Sequence, residues 1–200
     1  MKFSLYIVSH RGRRYRILRP KLVGFLVDQG DNWGGFVAGL AKGSICDLAA
    51  AWSLAARSPG TIIYLPISHR AQKPSCATLP REEETPTLDL VLSHHSLQLR
   101  PAEWKSLRHN LGTGHPISIP VETRRDRDHA SHSITKLDRP VLTVRSRTLL
   151  VTGSRISFEE DQPVLDDLAE HGPAEAILHP LIRPSASFLE RRVFLELIPT

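Results

Sequence analysis

Three groups of residues in this 200-residue chain have types and spacings that could do chemistry. The first lies between Thr148 and Gly172, TLLVTGSRISFEEDQPVLDDLAEHG, where an apolar strand runs into Gly153-Ser154-Arg155 and a helix follows with Leu165 and Leu168 on its inner face. Such a turn can aim free backbone N–H groups at a phosphate, and the helix dipole favours the negative charge. Ser154 adds a hydroxyl and Arg155 a charged fork for phosphate oxygens. Glu159, Glu160 and Asp161 stabilise the helix start but repel an anion that comes too near. The residues also fit a plainer reading, in which Arg145-Ser146-Arg147 is a hairpin turn and Gly153-Ser154 merely ends its second strand.

This stretch resembles the opening strand, turn and helix of the SLOG superfamily of Rossmann-like nucleotide-binding domains, which includes the DNA-processing proteins of natural transformation. Leu149, Leu150, Val151, Thr152, Gly153, Ser154 and Arg155 carry the resemblance, with the Leu165, Leu168 and Gly172 spacing behind them. It implies binding of a nucleotide, a nucleotide-derived signal or nucleic acid, with Gly153, Ser154 and Arg155 as the residues carried over. The chain departs from the family where a second strand and a glycine-rich, acid-containing loop belong, because His179-Pro180-Leu181-Ile182-Arg183-Pro184 stands there.

The second group is a basic hairpin. Met1 to Lys21 holds seven Lys and Arg residues and no acid, including Arg11, Arg13, Arg14 and Arg16. Alternation places Arg14 and Arg16 on one strand face, with Tyr15 and Ile17 on the other. Clustered arginines suit phosphate backbones and interleaved tyrosines can stack on bases. An edge hairpin kept from unwanted pairing by its charges has the same composition.

The third group comprises Asp28, Asp31, His94 and His95, each placed after a buried-type strand, where open α/β sheets bind their ligands. If those strand ends are neighbours, a carboxylate and an imidazole could do the acid–base work of a hydrolase or hold a divalent ion. Short polar residues also simply make good turns. Asp126, Asp128, His129 and His132 match no metal-ligand spacing and lie among basic residues, so no metal and no cofactor is expected. Cys46 sits in the first turn of a predicted helix, where a thiol can be activated, but a cysteine on an apolar helix reads first as core.

The elements that must position these residues follow from the apolar periodicity. Lys2 to Leu18 reads as a hairpin, and Leu22 to Val27 as a buried strand closed by a polar loop that Gly34-Gly35 extends. Ser44 and Asp47 resemble a capping box for a helix over 45–57, and Thr61 to Ile67 then completes a strand, helix, strand unit. Ser68 to Thr87, with three prolines and Glu82-Glu83-Glu84, reads as a linker between possible subdomains 1–67 and 88–200. Beyond it come a strand at 88–92, a helix at 101–111 with Pro101 in its first turn, and strands at 117–121, 141–144 and 148–151. A helix near 162–171 and a strand at 193–198 close the chain.

The expected fold is α/β, a mixed sheet with an amino-terminal hairpin and about three helices, with α+β as the alternative, and with most support for nucleotide binding gone, if Val141 to Val151 is a hairpin inside an antiparallel sheet. No apolar stretch approaches the ~20 residues of a membrane span, and no secretory segment can be drawn, so a cytoplasmic protein is expected. Two cysteines make no disulfide framework. A net charge of +5 favours an anionic partner. The leading expectation is a non-catalytic or regulatory domain that binds a nucleotide or other phosphate-bearing ligand at Gly153 to Arg155. The alternatives are an interaction protein whose hairpin engages nucleic acid or an acidic protein, and an enzyme built on Asp28, Asp31 and His94.

Overall fold

The computed structural model describes residues 1–22, 24–28, 35–67, 87–120, 140–171 and 192–197. Strands β1 (Lys2–His10) and β2 (Arg13–Pro20) pair antiparallel along their whole length. Arg11 (φ 50°) and Gly12 (φ 76°) form the two-residue turn between them. Two successive left-handed residues match the twist of the flanking strands, and glycine meets this at no steric cost, whereas arginine does not.

β3 (Gly24–Asp28) and β4 (Gly35–Leu40) come next, then α1 (Lys42–Arg57) and β5 (Thr61–Leu65). β6 (Asp89–His94) leads through a 3₁₀ turn at His95–Leu97 into α2 (Pro101–His109) and β7 (His115–Ser118). β8 (Val141–Arg145), β9 (Thr148–Gly153), α3 (Arg155–His171) and β10 (Arg192–Leu197) complete the described elements. Seven strands form one mixed sheet in the order β7-β1-β2-β5-β6-β9-β8, and β10-β4-β3 form a second. The α/β class, the mixed sheet, the amino-terminal hairpin and the three helices are as the sequence implies.

Several local expectations need correction. The Gly34-Gly35 loop gives way at Gly35 to β4, whose partners are β3 and β10. β3 therefore belongs to the smaller sheet, and the parallel crossover into β5 starts from β2 instead. α1 begins at Lys42 with Ala41 as its N-cap, and the Ser44 amide donates to Ala41 O inside the first turn, so Ser44 is no cap. α3 begins at Arg155, seven residues before the periodic leucines suggested, and carries Pro163 within it. An interior proline normally breaks or kinks a helix, so this one hides the continuity of α3 from the sequence pattern. Val141 to Gly153 is an antiparallel hairpin, turned by Ser146 (φ 49°) and Arg147 (φ 58°), yet β9 also pairs parallel with β6.

Alternation along the central strands separates two cores. Leu18, Ile63, Leu65, Leu90, Leu92, Leu149 and Val151 face α1 and α3. Alanines 49, 51, 55 and 56 keep α1 narrow, so that Trp52 meets Phe158 edge-on at 5.2 Å and Gln162 Nε2 donates to Ala49 O. Ile17, Ile62, Tyr64, Val91 and Leu150 face α2 through Trp104 and Leu107. Among the described residues no helix is long and apolar enough to cross a membrane.

A buried polar knot fastens α2 to the sheet. Asp89 has no exposed surface, accepts from Tyr64 Oη at 2.9 Å and is 3.3 Å from Arg108. Thr148 Oγ1 accepts from Trp104 Nε1 and Arg108, both at 3.3 Å. Burial, and then the Asp89 charge and hydrogen bond, push the Tyr64 hydroxyl well above its ordinary pKa, so it stays a donor. Asp89→Ala is expected to cost about 2–4 kcal/mol, somewhat less than the about 3–5 kcal/mol of breaking a fully buried pair, because Arg108 is 30% exposed and can rehydrate. Urea unfolding of the variant measures this, and a loss below about 0.5 kcal/mol would show that the knot is not a structural tie.

Candidate functional site

The register of the main sheet decides which sequence-predicted residues share a neighbourhood. His94 pairs with Gly153, Ser93 with Thr152 and with Ile62, and Arg16 with Thr61. One end of the sheet therefore collects the tip of the β1–β2 hairpin, the start of β5, the close of β6 with its 3₁₀ turn, and the passage from β9 into α3. Arg13 ties the group together, its guanidinium donating to Leu97 O at 2.8 Å. The basic hairpin, the histidine pair and the Gly153-Ser154-Arg155 turn thus converge at one sheet end, where Arg57 in the last turn of α1 adds a further exposed cation.

At the α3 turn, the residues are already engaged with one another. Ser154 Oγ accepts from the Ser157 amide at 3.1 Å, as an N-cap does, and Ser157 Oγ donates to Ser154 O at 2.9 Å. A Cβ on Gly153 would collide with Ser157 Oγ and press on the Phe158 ring at 3.2 Å. Glycine is required there because α3 lies so close to the end of β9. Arg155 is 65% exposed and pairs with Glu159 at 2.9 Å.

The histidine pair has its own geometry. The ring centroids of His94 and His95 are 4.5 Å apart. His94 Nδ1 accepts from the Ser96 amide at 3.2 Å and lies 2.8 Å from Ser96 Oγ, which reaches Pro59 O at 3.4 Å. A hydroxyl on an imidazole nitrogen is the contact of a base-activated nucleophile. Here the same nitrogen accepts the amide, so the ring acts as a cap for the 3₁₀ turn and carries its proton on Nε2 when neutral. Burial, and then the neighbouring His95, hold the His94 pKa below its ordinary value.

On the hairpin, Tyr15 is 1% exposed and packs in the α2 core beneath the Arg13 guanidinium, 5.4 Å from its ring centre. It offers no ring for a base to stack on, because β2 turns that face inward. Arg11, Arg14 and Arg16 are exposed and form no ion pair among the described residues.

The remaining candidates do not join this group. Asp28 ends β3 in the smaller sheet, so its strand end does not neighbour that of His94 in a common sheet. Asp31, Cys76, Trp33, the linker 68–86, and the Asp126, Asp128, His129 and His132 segment lie outside the described residues. Cys46 is exposed rather than in the core, since it falls on the outer side of α1. Among the described residues no cluster of His, Cys, Asp or Glu has the arrangement of a metal site. The sequence reading missed the Asp89 knot, whose one signal was an acid opening the otherwise apolar run Leu88 to Leu92. Comparison with protein families, curated proteins and solved structures finds no match.

Two outcomes test this geometry. Gly153→Ala is expected to cost about 1–3 kcal/mol in thermal unfolding, because Ser157 must rotate and lose its bond to Ser154 O. The His94 pKa is depressed from 6.5, so its stabilising contribution is complete above that pH and is lost as pH falls through the folded value. His94→Asn, whose amide oxygen can still accept from Ser96, is expected to lose less stability than wild type between neutral pH and about pH 5. Identical acid slopes would contradict the capping role.

Proposed function

We propose that this chain is a non-catalytic binding module for a phosphate-bearing ligand, which it takes at the basic end of its main sheet. The observation that carries the reading is the convergence set by the β6–β9 register and the Arg13–Leu97 tie. The arginine-rich hairpin and the single arginine that opens α3, more than a hundred residues apart in sequence, are brought to one end of the sheet, and such a gathering of cations concentrates anions and speeds their arrival. The SLOG resemblance points to the same ligand class, a nucleotide, a nucleotide-derived signal or nucleic acid, all of them abundant in the cytoplasm where we place the protein.

The parts of the site differ in what they can contribute. Ser154 spends its hydroxyl on capping α3, and Arg155 holds Glu159, so these two would have to exchange internal partners for ligand. The guanidiniums of Arg11, Arg14 and Arg16 have no ion-pair partner to give up among the described residues. First contact is therefore assigned to the hairpin, with Arg155 and the start of α3 as a secondary arm.

A thermal-shift panel of nucleotides and short oligonucleotides tests the reading. At about a hundredfold excess of ligand over its Kd, binding to the folded state stabilises by about 2.7 kcal/mol. The stabilisation is expected in wild type, reduced in Arg155→Ala and lost in Arg13→Glu with Arg14→Glu. No stabilisation by any member, or equal shifts in all three proteins, would sink the proposal.

A further inference from the structure

We infer that the open sheet face at the tip of the β1–β2 hairpin docks the phosphate backbone of a nucleic acid and does so without reading its bases. This rests on the phosphate-binding reading above and names the partner.

The face follows from strand alternation. Phe3 and Leu18 lie in the core against α1 and α3, so Leu5, Ile7 and Ser9 on β1 and Arg14 and Arg16 on β2 share their side of the sheet. Nearer the turn that side is uncovered. Ile7, which pairs with Arg16, is 41% exposed, and Ser9, which pairs with Arg14, is exposed too.

Charge complementarity selects the occupant. Residues 1–21 contain no acid, and the guanidiniums that face solvent here are free of ion pairs among the described residues. Arg14 and Arg16 are two residues apart on an extended strand, a step of about 6.8 Å, comparable with the spacing of successive phosphates along a nucleic-acid strand. Arg11 continues the row at the turn. It holds a left-handed backbone that Asn or Gly would adopt at lower cost, so the turn keeps a guanidinium at its tip against the local conformational preference.

The same face lacks what base recognition needs. Among its described residues none is an exposed aromatic, and Tyr15, the ring nearest the arginines in sequence, is buried on the opposite side. Stacking on aromatic rings contributes about 1–3 kcal/mol per splayed base, so without it the attraction between guanidinium and phosphate charges dominates binding. Binding should accordingly be steep in salt, indifferent to sequence and shared by single and double strands.

The experiment measures binding of labelled oligothymidine, oligoadenosine and a mixed duplex to the full chain by fluorescence anisotropy across a salt series. A polyglutamate of matched charge and ATP are run as further probes. Three phosphate contacts predict log K against log salt slopes of about −2 to −3, with affinities for the three nucleic acids within about threefold of one another. Arg14→Ala with Arg16→Ala is expected to reduce the slope by about one unit per arginine. Arg11→Asn is expected to weaken binding while raising the melting temperature, a combination that a purely structural role for Arg11 cannot give. A tenfold preference among bases, an unchanged slope in the double variant, or equal binding of polyglutamate would overturn the inference. ATP binding that needs Arg155 but not Arg14 or Arg16 would overturn it while leaving the phosphate-binding reading intact. No binding of any anion would remove both.

Discussion

Parallel pairing of β6 with β9 sets nearly everything else in the molecule. Its register runs from Asp89 opposite Thr148 to His94 opposite Gly153, and each end of that ladder becomes a polar centre of a different kind. At the first end Asp89 and Thr148 stand side by side under α2, and the carboxylate, Tyr64, Arg108 and Trp104 close into a buried knot. At the other, the chain leaves both strands together, β6 into the histidine-capped 3₁₀ turn and β9 into α3. A slip of one residue would turn Asp89 towards the apolar face of α1 and α3, where no described partner awaits it, so the knot also guards the register.

The two faces of β2 show how one strand can serve both stability and recognition. Tyr15 and Ile17 go inward to the α2 core, while Arg14 and Arg16 go outward beyond the reach of α1 and α3. Arg13 bridges these roles, because its side chain lies against Tyr15 and holds Leu97 O, so the hairpin tip is anchored to the turn that follows β6. An anion drawn to the hairpin thus meets a surface whose backbone is already fixed, and little ordering is needed on binding.

Much of the fold was legible because its periodicities are strong. The hairpin, the Trp52 and Trp104 helices and the strands around Leu90 and Leu150 all follow from alternation or helical spacing. What the sequence hid has physical reasons. β4 is glycine-rich at its start and gains its strand character from pairing with β3 and β10, which no local pattern announces. Pro163, which disfavours a helix interior, sits within α3 and hides its continuity. For the site, the basic hairpin was visible by composition and Arg155 by its turn, but their meeting depends on long-range register. Gly153 and Ser154 were visible as a turn, and only packing revealed that the glycine makes room for Ser157 and Phe158 and that the serine caps the helix.

The claim that one end of the main sheet forms a single anion-binding surface is tested most directly by titrating an unlabelled oligonucleotide into isotope-labelled protein and following the backbone amide resonances. The account predicts that Arg11 to Arg16 shift first and most, with His95 to Leu97 and Arg155 to Ile156 moving in the same titration. The Asp89, Thr148 and Arg108 amides at the opposite end should stay still. Shifts centred on the opposite end, or on either outer edge of the sheet with the hairpin unmoved, would contradict it.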